Sequence, residues 1–442
     1  MISPNRFILA GALTIALICG ARAQQAATPT PTVAPTPTPA PLVVAPEDAR
    51  FDVPATDDGL PGAGPIHRAD WFRKNWITLH KQWAQDVQKD QGALVFLGDS
   101  ITQGWGDVGS SFPGMKVAVR GVSGDTTRGV LIRLKDDVIA LNPCGVVLLI
   151  GTNDIGDGVD PEVIAGNMKL IIDALKQANP AMPVILCNIM PSSNSMKRSA
   201  AVIQKTNALY FKAIADEPQV TVLDTYALFK NSHGDAKDDE MPDLLHPDIL
   251  GYGKWAAALR PILETNGLAP TWADDFSPEN GFTSLFDGHD LTGWEYDSSQ
   301  IFTRKTTTSD GRFIVKSGRL IVTVAHTSKD YKKLWTTLKY NKDFVLKLEF
   351  RASPGADSGI FIREPQLQCR DFIIAGPFST LKNYRPLDWN EIVVTVRGGL
   401  AHCVCNGEVL VDAMPVPADG PIGLESDHGQ VEFRRIRAME AR

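Results

Sequence analysis

The sequence predicts two folded parts, a three-layer α/β/α domain built on a parallel sheet and, after it, an antiparallel all-β sandwich. Two observations carry this. Between residues 93 and 262, short apolar runs alternate with stretches of helical length, the rhythm of parallel strands joined by crossover helices. After Leu268 the texture changes to short alternating runs such as RFIVKSGRLIVTVA, DFVLKLEFRA and NEIVVTVRGG, broken by Gly, Asp and Asn turns. With 442 residues the chain is long enough for two separate cores.

Residues 1 to 23 combine Arg6, the apolar run FILAGALTIALIC and Ala21-Arg22-Ala23. They read as a secretory signal cleaved before Gln24, so a secreted or periplasmic protein is expected. Lipidation of Cys19 is the rival reading, opposed by Ile18 where a small residue belongs. The apolar run is too short to span a bilayer, and no later segment is longer. Residues 24 to 48 are Pro, Thr and Ala repeats too poor in large apolar groups to build a core, and residues 24 to 64 are assigned to a linker. A folded domain is expected over 65 to 268, a second linker over 269 to 281 and the sandwich over 282 to 440.

The pattern from Ala69 to Asp90 predicts an amphipathic helix with Trp71, Trp76, Leu79 and Trp83 on or near one face, core packing being favoured over carbohydrate stacking. The run ALVFLGDSIT, 93 to 102, predicts a strand buried on both faces that ends in a Gly-Asp-Ser exit. Further helices are expected near 126–141, 161–178, 199–216 and 249–262, with strands at 145–150, 183–189 and 219–223. The glycines of GWGDVG, 104 to 109, match a dinucleotide fingerprint only formally. They begin six residues beyond Gly98, and Asp99 puts an anion where a pyrophosphate would lie.

Ligands of open α/β sheets bind outside the carboxyl ends of the strands, which is where Ser100 falls. A serine hydroxyl attacks only with a base in reach and donors for the developing oxyanion. DLLH, 243 to 246, spaces Asp243 one helical turn before His246, so one segment offers a base and the carboxylate that orients it. Asn153 of GTND follows the apolar strand CGVVLLI, and Gly121 of RGVSGDTT follows MKVAV; both are expected at the same end of the sheet. His233 is a rival base in a charged stretch with no carboxylate one turn before it. Asp99 is assigned to stabilising the loop, because neighbouring side chains on a tight turn point apart. The polar segments 190–198 and 230–242 are expected to rim the site and set selectivity.

GDSIT, RGVSGDTT, GTND and DLLHP, in that order, resemble the four blocks of the SGNH (GDSL-type) hydrolases over roughly residues 65 to 268. Within that family the chain is most similar to the branch of platelet-activating-factor acetylhydrolase catalytic subunits and bacterial acetyl esterases. The resemblance implies a flavodoxin-like sheet, a Ser100-His246-Asp243 triad, and an oxyanion hole from the Ser100 and Gly121 amides and the Asn153 side chain. Residues 276 to 440 resemble the 3-keto-disaccharide hydrolase family, which implies a concanavalin-like jelly roll. FTSLFDGHDLTGW, DWNEIVVTVRGG and GPIGLESDHGQVEFRRIR carry that likeness. In QLQCRD, Gln366 stands where that family has an acid, while Gln368 and Asp371 match. Glutamine cannot transfer a proton, so a glycan-binding role for Gln366, Gln368 and Asp371 is what remains.

The net charge of −7, without a Lys/Arg stripe, argues against nucleic acid as a partner. Of six cysteines, Cys19 leaves with the signal. The remaining five are read as thiols without a disulfide framework or zinc site, Cys144 and Cys187 acting as small hydrophobes in or beside strands. No cofactor and no metal is expected, although scattered Asp residues in β loops leave calcium open. The function expected is an exported serine esterase that removes O-acetyl groups from carbohydrate while the sandwich binds glycan. Three alternatives stand beside it: a fusion in which the sandwich cleaves (3-keto-)glycosides, a short-chain lipid or aryl esterase, and a glycan-binding adhesin.

Overall fold

The computed structural model describes residues 44–271, 274–296, 300–323, 331–373 and 378–441. Residues 1 to 23, expected to be a signal, and most of the Pro-rich stretch lie outside the described residues. Helices α1 (Asp70–Asp90), α2 (Ser100–Gly104), α3 (Val108–Ser111), α4 (Thr127–Asp137), α5 (Thr152–Gly156), α6 (Pro161–Ala178), α7 (Ala200–Ala213), α8 (Thr225–Phe229) and α9 (Ile249–Thr265) surround five strands. These are β1 (Leu94–Gly98), β2 (Val117–Gly121), β3 (Gly145–Leu149), β4 (Val184–Cys187) and β5 (Val220–Leu223), all parallel, in the order β2-β1-β3-β4-β5.

Strand side chains alternate between faces, and here both faces are apolar, so the sheet has a core on each side. Val95, Leu97, Val146, Leu148, Val184 and Leu186 join residues of α4, α6 and α7 in one core. Leu94, Phe96, Val147, Leu149, Ile185 and Cys187 join Trp105, Phe112, Phe229, Trp255 and Leu259 in the other. Each fully buried aliphatic is worth about 1.5–3 kcal/mol, which pins the strand registers. The chain leaves β1 for β2 on one side and returns to β3 on the other. The crevice at that switch point opens at the carboxyl ends of β1 and β3, between Gly98 and Leu149.

The sandwich pairs two antiparallel sheets. One has eight strands: Glu408–Pro415, Leu400–Cys405, Asn390–Arg397, Phe344–Ala352, Val431–Glu440, Arg319–Val322 and Phe313–Lys316 in that order, with Thr283–Ser284 joined to Val431–Glu440. The other has six: Gln366–Gln368, Gly359–Ile362, Gly420–Ser426, Lys332–Tyr340, Trp294–Tyr296 and Gln300–Ile301. Phe344–Ala352 alternates buried and half-buried residues along its whole length, and its Leu346, Leu348 and Phe350 meet Ile360, Ile362 and Leu424 of the opposite sheet in a single core.

The two parts are joined by charge at the end of α9. Glu264 accepts from Arg319 at 2.7 Å and Arg351 at 3.2 Å, and Glu432 of the sandwich accepts from the same two arginines at 3.0 and 2.8 Å. Lys316 donates to the Thr265 carbonyl at 2.7 Å, and Gln430 donates to the Thr265 hydroxyl at 3.0 Å.

Three expectations need correction. The first linker is too long as assigned: Val53 is buried, Asp57 pairs with Arg68 and Arg128, and Ala63 exchanges hydrogen bonds of 3.0 and 2.7 Å with Asn167. Of the four side chains assigned to one face of α1, Trp76 and Trp83 are buried but Trp71 is 58% exposed, because at 3.6 residues per turn it lies off the stripe that Phe72, Trp76 and Trp83 bury. Cys144 is exposed, since it precedes β3, whereas Cys187, Cys403 and Cys405 are buried apolar thiols.

Candidate active site

Ser100 opens α2 directly after β1. Asp99 caps that helix, its Oδ1 accepting from the Ile101 N–H at 2.9 Å, which turns the chain sharply and presents the Ser100 side chain at the mouth of the crevice. A Cβ on Gly98 would lie 2.3 Å from both the Leu149 carbonyl and the Thr102 hydroxyl, so only glycine lets the strand end, β3 and the helix meet. Gly121 is paired with Gly98 at the end of β2, and a Cβ there would lie 2.4 Å from the Gln103 nitrogen. These two close approaches seat the first turn of α2 against the end of β2.

The Ser100 hydroxyl lies 2.8 Å from His246 Nε2, and His246 Nδ1 lies 2.6 Å from Asp243 Oδ2. The segment that carries the last two is a turn, not the helical turn inferred from their spacing. Asp243 Oδ1 accepts from the backbone N–H of Leu245 at 3.0 Å and of His246 at 2.7 Å, and Leu244 takes the left-handed φ of 60°. A leucine in that region is strained, and it is held by packing and by the Ser192 hydroxyl, which donates to its carbonyl at 2.7 Å. Partial burial pushes the Asp243 carboxyl up, but the His246 ring and the two N–H donors outweigh it and hold the group below its ordinary range. Asp243 therefore stays an anion facing the imidazole, which fixes a proton on Nδ1 and leaves Nε2 free to accept from the serine. His233 is exposed, and its ring Nδ1 lies 3.4 Å from the Ser232 hydroxyl.

Asn153, in the first turn of α5, lies at the same end of the sheet. Its Nδ2 donates to the Asp125 carbonyl at 2.8 Å and its Oδ1 accepts from Arg198 Nη2 at 3.3 Å. Beneath the site three carboxyls are fully buried: Asp99, Asp125 and Asp154. Asp125 is paired with Arg133 at 2.8 Å, and Asp154 accepts from the Thr127 hydroxyl at 2.6 Å and N–H at 2.9 Å. Asp99 Oδ2 has no partner among the described residues. Burial pushes the Asp99 carboxyl up to about 7, the Ile101 N–H opposing and the charges of Asp125 and Asp154 adding to it. Burial likewise lifts Asp154 to about 6. Its side chain bonds back into the helix, so Asp99 holds the loop, as expected from its position. Sequence reasoning missed Arg198, which lies in the polar stretch 190–198 with no motif to mark it.

In the sandwich, Gln366 and Gln368 share one face of the six-stranded sheet. Gln366 donates to the buried carboxylate of Glu425 on a nearby strand, and Gln368 accepts from Arg370. Burial, with Asp427 and Asp357 adding to it, raises the Glu425 carboxyl above its ordinary range. Asp371 is apart from the two glutamines, buried and accepting from the Gly355 N–H at 3.3 Å. Trp294, Tyr340 and Tyr384 are in the core of the sandwich, while Trp335 lies beside Phe361 with Lys333 above both rings. Asp357, Asp427 and His428 offer ligand atoms within 4.8 Å of one another, but Arg370 already neutralises Asp357 at 3.2 Å, a cation that a metal ion would have to displace.

An alcohol, an imidazole and a carboxylate in hydrogen-bonded series at the switch point of a parallel sheet are the arrangement of a serine hydrolase. The GDSL-like lipase/acylhydrolase family model matches residues 96–254, and the 3-keto-alpha-glucoside-1,2-lyase-like domain model matches residues 281–439. The chain thus carries a GDSL-type acylhydrolase domain followed by a domain of the second kind, and it is a hydrolase. Platelet-activating factor acetylhydrolase IB subunit alpha1 of Pongo abelii is 28% identical over 195 residues, 42% of this chain and 82% of that one. The alpha2 subunit of Gallus gallus is 28% identical over 216 residues, 47% of this chain and 90% of that one. Among solved structures, a putative platelet activating factor from Streptococcus pneumonia is 24% identical, covering 44% of this chain and 94% of its own with a TM-score of 0.41. No helix among the described residues is long and apolar enough to cross a membrane.

Proposed function

We propose that the protein is an exported esterase that removes O-acetyl groups from carbohydrate. Ser100 attacks the acyl carbon while His246 Nε2 takes its proton; His246 then gives that proton to the departing sugar oxygen, leaving an acyl-serine. Water, deprotonated by the same imidazole, releases acetate and restores the hydroxyl. Asp243 holds the imidazole tautomer, and the Ser100 and Gly121 amides with the Asn153 side chain receive the negative charge on the acyl oxygen. The single observation that carries this reading is the unbroken line from the Ser100 hydroxyl to His246 to Asp243, at 2.8 and 2.6 Å.

Two features favour a sugar as the alcohol. Trp71 is exposed, and its ring lies over Gly124, where a Cβ would be 2.5 Å from it. Gly124 immediately precedes Asp125, whose carbonyl bonds Asn153, so an open aromatic face stands at the rim of the site. The second feature is the glucoside-lyase-like match of the sandwich, whose polar face at Gln366, Gln368 and Trp335 we assign to glycan binding. The signal-like residues 1 to 23 support export.

A second reading, glycoside cleavage by the sandwich, is favoured by Glu425, a protonatable carboxyl beside Gln366. Both are tested with the full-length Ser100→Ala chain. Loss of p-nitrophenyl acetate and acetylated-oligosaccharide turnover supports the esterase; retained turnover ends it. Sugar release from a 3-keto-glycoside by the same variant establishes the second reading, and none removes it.

A further inference from the structure

We infer that Arg198 is a positioning residue of the ester-cleaving site: it locks the Asn153 amide in the one orientation that turns an N–H toward the developing oxyanion. The inference rests on the oxyanion role proposed for Asn153. An amide side chain has a donor end and an acceptor end of nearly the same shape, so its orientation is decided by its neighbours. Here the neighbours disagree with a flip at both ends. The Asp125 carbonyl can only accept, and it takes one Nδ2 hydrogen at 2.8 Å. The Arg198 guanidinium can only donate, and it meets Oδ1 at 3.3 Å. Turning the amide over would set oxygen against oxygen and NH2 against a cation. In the observed orientation the second Nδ2 hydrogen is committed to no other bond among the described residues.

Arg198 is itself held for this task. Its Nε donates to the Thr152 carbonyl at 2.8 Å, and its Nη1 donates to the Met196 carbonyl at 2.7 Å. Thr152 is the residue before Asn153, so one guanidinium grips both the backbone that carries the amide and the amide itself. Gly156 makes the space: a Cβ there would lie 2.5 Å from Nη2 and 2.7 Å from Cζ. The guanidinium therefore lies flat against the glycine at the end of α5, three residues beyond the side chain it orients.

The test uses the full-length chain and p-nitrophenyl acetate. Arg198→Met removes one of the two groups that oppose a flip and loosens the amide, and kcat should fall about tenfold with KM within about twofold, since the misplaced donor acts only on the transition state. In an Asn153→Ala background, Arg198→Met should change kcat by less than about twofold, because nothing is left to orient. Gly156→Ala, which pushes the guanidinium aside without deleting a hydrogen-bonding group, should reproduce the kcat loss and serves if Arg198→Met does not fold. An equal loss in both backgrounds, or no loss in either Arg198→Met or Gly156→Ala, overturns the inference. An Asn153→Ala chain with full kcat removes the oxyanion role and the inference together, whereas the nucleophile assignment stands or falls separately with Ser100→Ala.

Discussion

Gly121→Ala is the sharpest perturbation the geometry offers. The added methyl would lie 2.4 Å from the Gln103 nitrogen, 2.8 Å from the Asp99 carbonyl oxygen and 2.9 Å from the Gln103 Cα, against ordinary contact from 3.4 Å. The worst contact is thus 1.0 Å too close. All three atoms belong to the backbone of the turn that carries Ser100, so none can swing away by changing rotamer. Either the end of β2 retreats or the first turn of α2 shifts, by about an ångström in all, and each movement separates the Gly121 amide from the Ser100 side chain. A displacement of that size at a reacting centre costs about 10²-fold, and loss of one oxyanion donor costs about 10²–10³-fold. The expected result is a kcat for p-nitrophenyl acetate about 10²–10³ lower, with stability reduced by about 1–3 kcal/mol for the overpacking. Gly166→Ala is the control. It lies on the exposed side of α6 with nothing within 4 Å of the new methyl, and should raise stability by up to about 1 kcal/mol with activity unchanged. Steady-state kinetics and thermal melts of both variants decide it. A Gly121→Ala enzyme with kcat within about threefold of the parent refutes the reasoning.

Two further outcomes are expected. Asp99, raised to about 7 in the fold, binds more protons folded than unfolded between its ordinary value of 3.8 and that point, so its contribution to stability is lost as pH rises through that window. Asp99→Asn, which can still accept from the Ile101 N–H, should melt higher than the parent at about pH 8 and alike at about pH 3; a gap independent of pH contradicts this. Trp71→Ala should lower kcat/KM on an acetylated oligosaccharide by about three- to tenfold and leave p-nitrophenyl acetate untouched, while an equal effect on both would deny the ring a part in sugar recognition.

Much of this architecture was legible in the chain. Buried parallel strands announce themselves as apolar runs, and a Gly-Asp-Ser or Gly-Thr-Asn step after such a run can only fall at the carboxyl end of the sheet, so Ser100, Gly121 and Asn153 could be assigned to one crevice. The alternation and turn residues after Leu268 announced the sandwich for the same reason. The four-residue pattern DLLH announced the Asp243–His246 pair but misled about its conformation, because the spacing of one helical turn is also met by a turn with Leu244 in the left-handed region.

What the chain by itself determined is therefore what depends on local periodicity and on glycine: the order of strands and helices, the two cores, and the placement of Ser100 at a strand exit. What only the tertiary structure decided depends on atoms far apart in sequence. Ala63 meets Asn167 across 104 positions, which turns an apparent linker into part of the domain. Arg198 finds Asn153 across 45, and Ser100 finds His246 across 146. No window of sequence contains both ends of such contacts, and their distances are set by how helices lie on a sheet, which is fixed by packing.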